Sequence, residues 1–262
     1  VIRGKALVIE DQMETRLWDL FQIDRRPSFT HFGILRFKDL ELSKSRYRRE
    51  IAEGRLSGID DPRTWSLQSL RRRGIQPAAL RDFVLDFGLS LNDIEVAAET
   101  LYAENRKRID EHANRYFFVP EPVSVEIHGL PATEAAHPPL HPDFPGRGTR
   151  TVPVGPKFHV AKEDFDRFRG QEVRLKDFCN VVLDHRATFV SLENKDIPKI
   201  QWVSHGGVPT HVVMPTGFES RGLAEPEVAS LRVDDVVQFE RIGFARVDHV
   251  SRAEVRAYFA HR

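Results

Sequence analysis

Leu42-Ser43-Lys44-Ser45-Arg46 sets an ammonium between two hydroxyls just after an apolar run, and Gly58-Ile59-Asp60-Asp61-Pro62-Arg63 begins twelve residues behind it. A lysine flanked by serines on a loop can hold a polyphosphate: the ammonium supplies a point charge and the hydroxyls donate hydrogen bonds. Short Ser/Lys loops are also ordinary solvated surface, so the pentapeptide needs its context. His137 and His141 stand four apart in a proline-rich stretch, with no cysteine or carboxylate at a spacing that would complete a zinc site, so no metal is expected. Cys179 lies in Phe178-Cys179-Asn180-Val181-Val182, which reads as a strand, and is expected to be a packed core thiol and not a nucleophile. No Ser/His/Asp triad can be argued from residue order.

The surrounding elements alternate early in the chain. Val1-Ile2-Arg3-Gly4 reads as a strand ending at a glycine turn, and Met13, Leu17, Leu20 and Phe21 fall at helical spacing. Phe32–Phe37 is a second apolar strand that leads into the serine-lysine loop. Strand, helix, strand is the grammar of a βαβ unit, here the tail of a larger α/β sheet. A strand-like opening without a start methionine raises the expectation of a piece of a longer protein. From Pro62 to Asn114 the period is helical. Arg71-Arg72-Arg73-Gly74 reads as a helix end, Pro77 opens a helix bearing Leu80, Phe83, Val84 and Phe87, and Ser90 with Asp93 suggests a capping box leading into Ile94, Ala98 and Leu101. After Arg115 short apolar runs with Pro and Gly punctuation indicate one or two antiparallel barrels.

At 262 residues the chain suits two or three compact units, and 40% hydrophobic content can build real cores. With 39 basic and 39 acidic residues there is no net field, which argues against a DNA-coating protein but leaves room for local basic stripes that bind RNA. One cysteine excludes an internal disulfide and fits a reducing cytosol. No apolar run approaches the ~20 residues that span a bilayer, so no membrane partner is expected.

Taken in order, the motifs resemble archaeal-type glutamyl-tRNA synthetase, a class I aminoacyl-tRNA synthetase and close kin of the glutaminyl enzyme. "LSKSR" is similar to its KMSKS loop, and "VIRGK" at 1–5, "GIDDPR" and "LRRRGI" at 70–75 follow in the family's order. "LYAENRK" at 101–107, "NRYFFVPEPV" at 114–123, "PLHPDFPGRG" at 139–148, "EVRLKDF" at 172–178, "IQWVSH" at 200–205, "GLAEP" at 222–226 and "VQFERIGF" at 237–244 carry it onward, and "AYFAHR" ends the chain. The serine at position 45 fits the glutamyl loop better than the "MSKRK"-like loop of glutaminyl relatives. The family's HIGH-type ATP motif does not occur in these residues.

The resemblance implies a ligase that activates L-glutamate with ATP and Mg²⁺, as substrates and not as a tightly bound cofactor, and esterifies tRNA(Glu), with tRNA(Gln) a second candidate. Lys44 would stabilise departing pyrophosphate, aided by Ser43 and Ser45, because a mobile cation arriving with the developing charge favours the transition state. Arg3 would grip the substrate carboxylate, the alternative being an arginine that caps a strand end. Relatives continue "RGKD" or "RGEE" then histidine where Ala6 and Leu7 stand, so ATP contacts at that acidic position do not transfer. Arg71, Arg72 and Arg73 would follow a tRNA stem, the alternative being a solvated face. Arg115, Arg174, Lys176, Gln238, Glu240 and Arg241 would read the anticodon, with Gln238 and Glu240 on one strand face and Arg241 opposite unless the strand bends.

The expected architecture is thus α/β plus all-β. Residues 1–50 form the end of a Rossmann-type catalytic domain, 51–115 a helical stem-contact domain and 116–262 two antiparallel anticodon-binding β-barrels. Such a piece should be inactive alone and cytoplasmic. The rivals are a glutaminyl-tRNA synthetase and a non-catalytic tRNA-binding scaffold.

Overall fold

The structure, a computed structural model, describes residues 1–38 and 40–262. The chain runs β1 (Ile2–Gly4), α1 (Val8–Leu20), β2 (Thr30–Phe32), β3 (Leu35–Phe37), α2 (Lys44–Ala52), α3 (Leu67–Arg73) and α4 (Pro77–Asp86). Next come β4 (Ile94–Val96), α5 (Ala98–Ile109), β5 (Arg115–Tyr116), β6 (Phe118–Pro120), β7 (Pro122–His128), β8 (Ala135–Ala136), β9 (Val152–Pro153) and β10 (Lys157–Ala161). Then follow α6 (Lys162–Phe168), β11 (Glu172–Leu175), β12 (Asn180–Val182), β13 (Arg186–Ser191), β14 (Lys199–Ile200) and β15 (Val203–Ser204). The chain ends with β16 (Val208–Val213), β17 (Glu219–Ala224), β18 (Val236–Phe239), β19 (Gly243–Val250) and β20 (Val255–His261). These form two compact units that exchange the chain: Val1–Ser43 with Gln76–Arg108, and Lys44–Ile75 with Ile109–Arg262.

In the first unit β1 and β2 pair in parallel across α1, as a strand–helix–strand grammar requires. The apolar stripe of α1 is exposed, with Met13, Leu17, Leu20 and Phe21 all half or more accessible. The expected strand 32–37 divides at Gly33. Its N–H donates to Ser90 O at 2.6 Å, and a Cβ there would lie 2.1 Å from Asn92 O, so only glycine lets the chain pass. Beyond it β3 pairs in parallel with β4. Ile94–Val96 is therefore a strand and not the continuation of a helix: Asp93 accepts from Ile34 N–H at 2.8 Å, and Ser90 closes a local turn by accepting from Asn92 N–H. Two β-branched residues two apart suit the pleat better than a helix. α4 opens at Pro77 as expected, and Phe83 of α4 stacks on Phe37 with centroids 5.6 Å apart.

In the second unit Ser66 caps α3 by accepting from Ser69 N–H at 3.0 Å, and Gly74 closes it in the left-handed region. Two seven-stranded sheets follow, ordered β14-β11-β12-β13-β7-β10-β15 and β5-β18-β19-β20-β16-β17-β6. Both are mixed and not wholly antiparallel, because β7 with β13 and β16 with β20 run parallel through long crossovers. The outermost strands of the first sheet are joined by Gln201-Trp202 alone, and those of the second by Phe117 alone. Three trans peptide steps reach at most about 11 Å, so the two border strands of each sheet are held close at that link. Each sheet has its core: Val125, Phe158, Val173, Val181 and Ala187 in one, and Val212, Val237, Phe239, Ala245 and Ala257 in the other. Cys179 is fully buried in the first core, and burial pushes its thiol up to about 12, so it is a packed and unreactive group.

Candidate nucleic-acid interface

The two sheet closures meet. Phe117 and Trp202 are fully buried with ring centroids 6.2 Å apart, and Trp202 also packs against Phe158 and Phe178. Trp202 Nε1 donates to Lys176 O at 2.9 Å, fixing the backbone just past β11. Over Phe117, 4.6 Å from its centroid, stands the guanidinium of Arg150, a side chain wholly removed from solvent. Its Nε lies 2.9 Å from both oxygens of Glu225, its Nη2 donates to Glu240 at 3.1 Å, and its Nη1 donates to Pro139 O. Glu225 in turn accepts from Phe117 N–H and donates its own N–H to Phe117 O, clasping the one-residue link. Burial pushes its carboxyl up to about 7 against the pull of Arg150 and the Phe117 N–H.

Three of the expected anticodon residues come together here. Glu240 pairs through one oxygen with Arg150 and through the other with Lys176. Beside it Arg241 holds Asp164 of α6 at 2.5 and 2.9 Å. β18 ends at Phe239, and Glu240-Arg241-Ile242 make a three-residue hairpin loop with Arg241 at φ +64°, so the chain bends where a straight strand would point Arg241 away. Gln238 lies in register with Arg115, and its Oε1 is buried without a hydrogen-bond partner among the described residues. Arg115 is engaged internally: its Nη2 is 3.0 Å from Asp110 and 2.9 Å from His141. Arg174 is buried and ties down the 192–193 loop, donating to Asn180, Leu192 O and Glu193 O. Both guanidiniums thus serve internal contacts in this structure.

The arginine run divides, because successive helical residues turn about 100° and face different neighbours. Arg71 is exposed. Arg72 stacks on Tyr258 and pairs with Asp60 and Asp248 at 2.9 and 3.0 Å. Arg73 is fully buried and donates to Phe259 O and Ala260 O. Asp60, Arg71 and Arg72 line a cleft of about 480 Å³ with Asp234, Arg246 and Asp248. Asp61 is 2% exposed and accepts from Ser57 and from the backbone and guanidinium of Arg63. Burial would raise its carboxyl, but these hydrogen bonds outweigh it and hold Asp61 well below the usual carboxylate range.

Lys44 and Ser45 are exposed at the start of α2 and Ser43 is half-buried, and the boundary between the two units falls between Ser43 and Lys44, inside the motif. Arg3 pairs with Asp11 at 3.0 Å and Glu14 at 3.1 Å and stands over Phe29. Asp11 also lies 2.5 Å from His31 Nε2. His141 is fully buried, its Nδ1 accepting from Asp143 N–H. Among the described residues no group of three or more metal-ligating side chains gathers, and no helix is long and apolar enough to cross a membrane. Arg150 and Glu225 carry no local signature, since the carboxylate partners of Arg150 lie 75 and 90 positions away and Phe117 lies 108 positions from Glu225.

Residues 113–199 match the anticodon-binding domain model of class I tRNA synthetases for glutamate and glutamine, and residues 199–248 match a second model of that same description. The chain is similar over its whole length to glutamate--tRNA ligases of Methanosarcina acetivorans (39% identical) and Pyrococcus horikoshii (37%), and over 98% of it to that of Archaeoglobus fulgidus (38%). It spans about half the length of these relatives, 47–48%. With two anticodon-binding models matching residues 113–248 and archaeal glutamate--tRNA ligases among its relatives, the chain belongs to the class I glutamate and glutamine tRNA synthetase family.

Proposed function

We propose that the chain is the tRNA-handling portion of a glutamate--tRNA ligase, in which the two sheets act as paired β-barrels that read the anticodon of tRNA(Glu). The observation that carries this reading is the junction of those sheets, where Lys176, Glu240 and Arg241 sit together within the segment that matches the anticodon-binding models. Single-stranded bases are selected by such polar edges together with stacking. Residues 51–115 would contact the tRNA stem, with Arg71 as the exposed cation of its run. Residues 1–50 would belong to a Rossmann-type catalytic domain of the longer protein. There ATP, Mg²⁺ and L-glutamate are reactants, and the solvent-facing ammonium of Lys44, with Ser43 and Ser45, serves departing pyrophosphate. Arg3 would take the substrate carboxylate by exchanging Glu14, the more exposed of its two partners, while Asp11 keeps the guanidinium oriented. A buried thiol and a role in protein synthesis fit the cytosol.

The test is binding of this chain to a synthetic anticodon stem-loop hairpin of tRNA(Glu), followed by fluorescence anisotropy. Replacing a recognised loop base should weaken binding by about 1–3 kcal/mol, roughly 5- to 150-fold. Equal affinity for all loop sequences would rule the reading out.

A further inference from the structure

Glu240 is the meeting point of two cations of unlike character. One is Arg150, wholly buried; the other is Lys176, whose side chain is about a third exposed. A lone surface lysine–carboxylate pair is loose and contributes little, so Lys176 would not hold a fixed direction by itself. Arg150 changes this. Its rigid fork is anchored at Glu225, at Pro139 O and over the Phe117 ring, all parts of the closure of the second sheet. Lys176 extends from the first sheet, beside the carbonyl that Trp202 holds. The relay Glu225–Arg150–Glu240–Lys176 therefore transmits the position of one closure to the partly exposed Lys176 of the other sheet, whose ammonium stands 6.0 Å from the Phe117 centroid.

We propose that Arg150 is a positioning residue for anticodon discrimination: through Glu240 it aims the Lys176 ammonium at a base that presents a carbonyl edge. This rests on the anticodon reading above and adds to it the residue that sets the geometry and the class of base selected. An ammonium has donors and no acceptor, and Glu240 takes one of its three N–H groups. The remaining two suit uracil O4 or guanine O6, whereas the amino group of cytosine or adenine in that place meets donor with donor.

The experiment measures the 262-residue chain against anticodon stem-loop hairpins in which each loop uracil is changed singly to cytosine. The wild-type chain should prefer uracil at one position by about tenfold or more, the worth of a hydrogen bond to a charged group. In Lys176→Ala and in R150M/E225Q the preference should fall toward one at that position only. The glutamine keeps an acceptor for Phe117 N–H and removes the carboxylate that would otherwise lose its partner. R150K, which retains charge without the fork, should fall with it and serves if the double variant does not fold. If the wild type discriminates and the Arg150 variants do so equally, or lose affinity evenly at every position, the proposal is overturned alone. If the wild type prefers uracil at no position the proposal falls, and it falls together with the anticodon reading only if every other loop substitution is also without effect.

Discussion

Glu225 is held by opposing forces, and their balance has a sign that can be measured. Its carboxyl stands at about 7 in the fold against an ordinary 4.5, so between those values the native chain holds more proton than the unfolded one. Stability contributed by this group is then fully present below pH 4.5 and is lost as pH rises toward 7. Asp61, depressed by its hydrogen bonds, works the other way and loses its contribution only in acid below the ordinary carboxylate range. Glu225→Gln should flatten the decline of the urea midpoint between pH 5 and 7; parallel profiles for the two proteins would refute the assignment. Buried charges differ in how legible they are in the sequence. Asp61 with Arg63 is a pair two apart and could be read as an internally bonded turn, which it is. Arg150 and Arg73 look like surface cations by type, and only the distant carboxylate of Glu225 and the carbonyls of Phe259 and Ala260 make their burial tolerable.

Among elements, those set by local pattern were readable: the strand–helix–strand start, the proline-led α4, the glycine stop of α3 and most strands after Arg115 follow from spacing of apolar residues and turn chemistry. β4 was hidden because its partner, β3, lies 59 residues earlier. β17 was hidden because Glu219, Ser220, Arg221 and Gly222 dilute its apolar pattern. Gly222 shows why that dilution is required. It pairs with Pro120, and a Cβ would fall 2.1 Å from Val119 O, so β6 and β17 can approach only where no side chain stands. Gly222→Ala should therefore separate the outermost pair of the second sheet and cost about 1–3 kcal/mol, read as a lowered thermal midpoint and as loss of amide protection at Leu223, whose N–H faces β6. An unchanged midpoint would show that the strand shifts freely.

The whole molecule divides its chain at Ser43 and Lys44, inside the motif with the clearest chemical expectation. That expectation concerns the reaction proposed for a full-length ligase, and the chain spans about half the length of its relatives. In a full-length ligase carrying this segment, Lys44→Ala should slow ATP–pyrophosphate exchange by about 10²–10³, the scale for removing one charge-stabilising donor; an unaltered rate would remove Lys44 from the reaction. Sequence order suggests this assignment through resemblance and does not show the interleaving of the two units, which depends on which distant segments pack together.

The closures at Phe117 and Gln201-Trp202 also bear on solubility. Strands at the rim of a sheet present unpaired amides that invite a neighbouring chain to add on. Here the rims, β5, β6, β14 and β15, are only two or three residues long, too short to template such growth. A β-rich chain without net charge to keep its copies apart is thereby protected from stacking through its sheets, by geometry and not by repulsion.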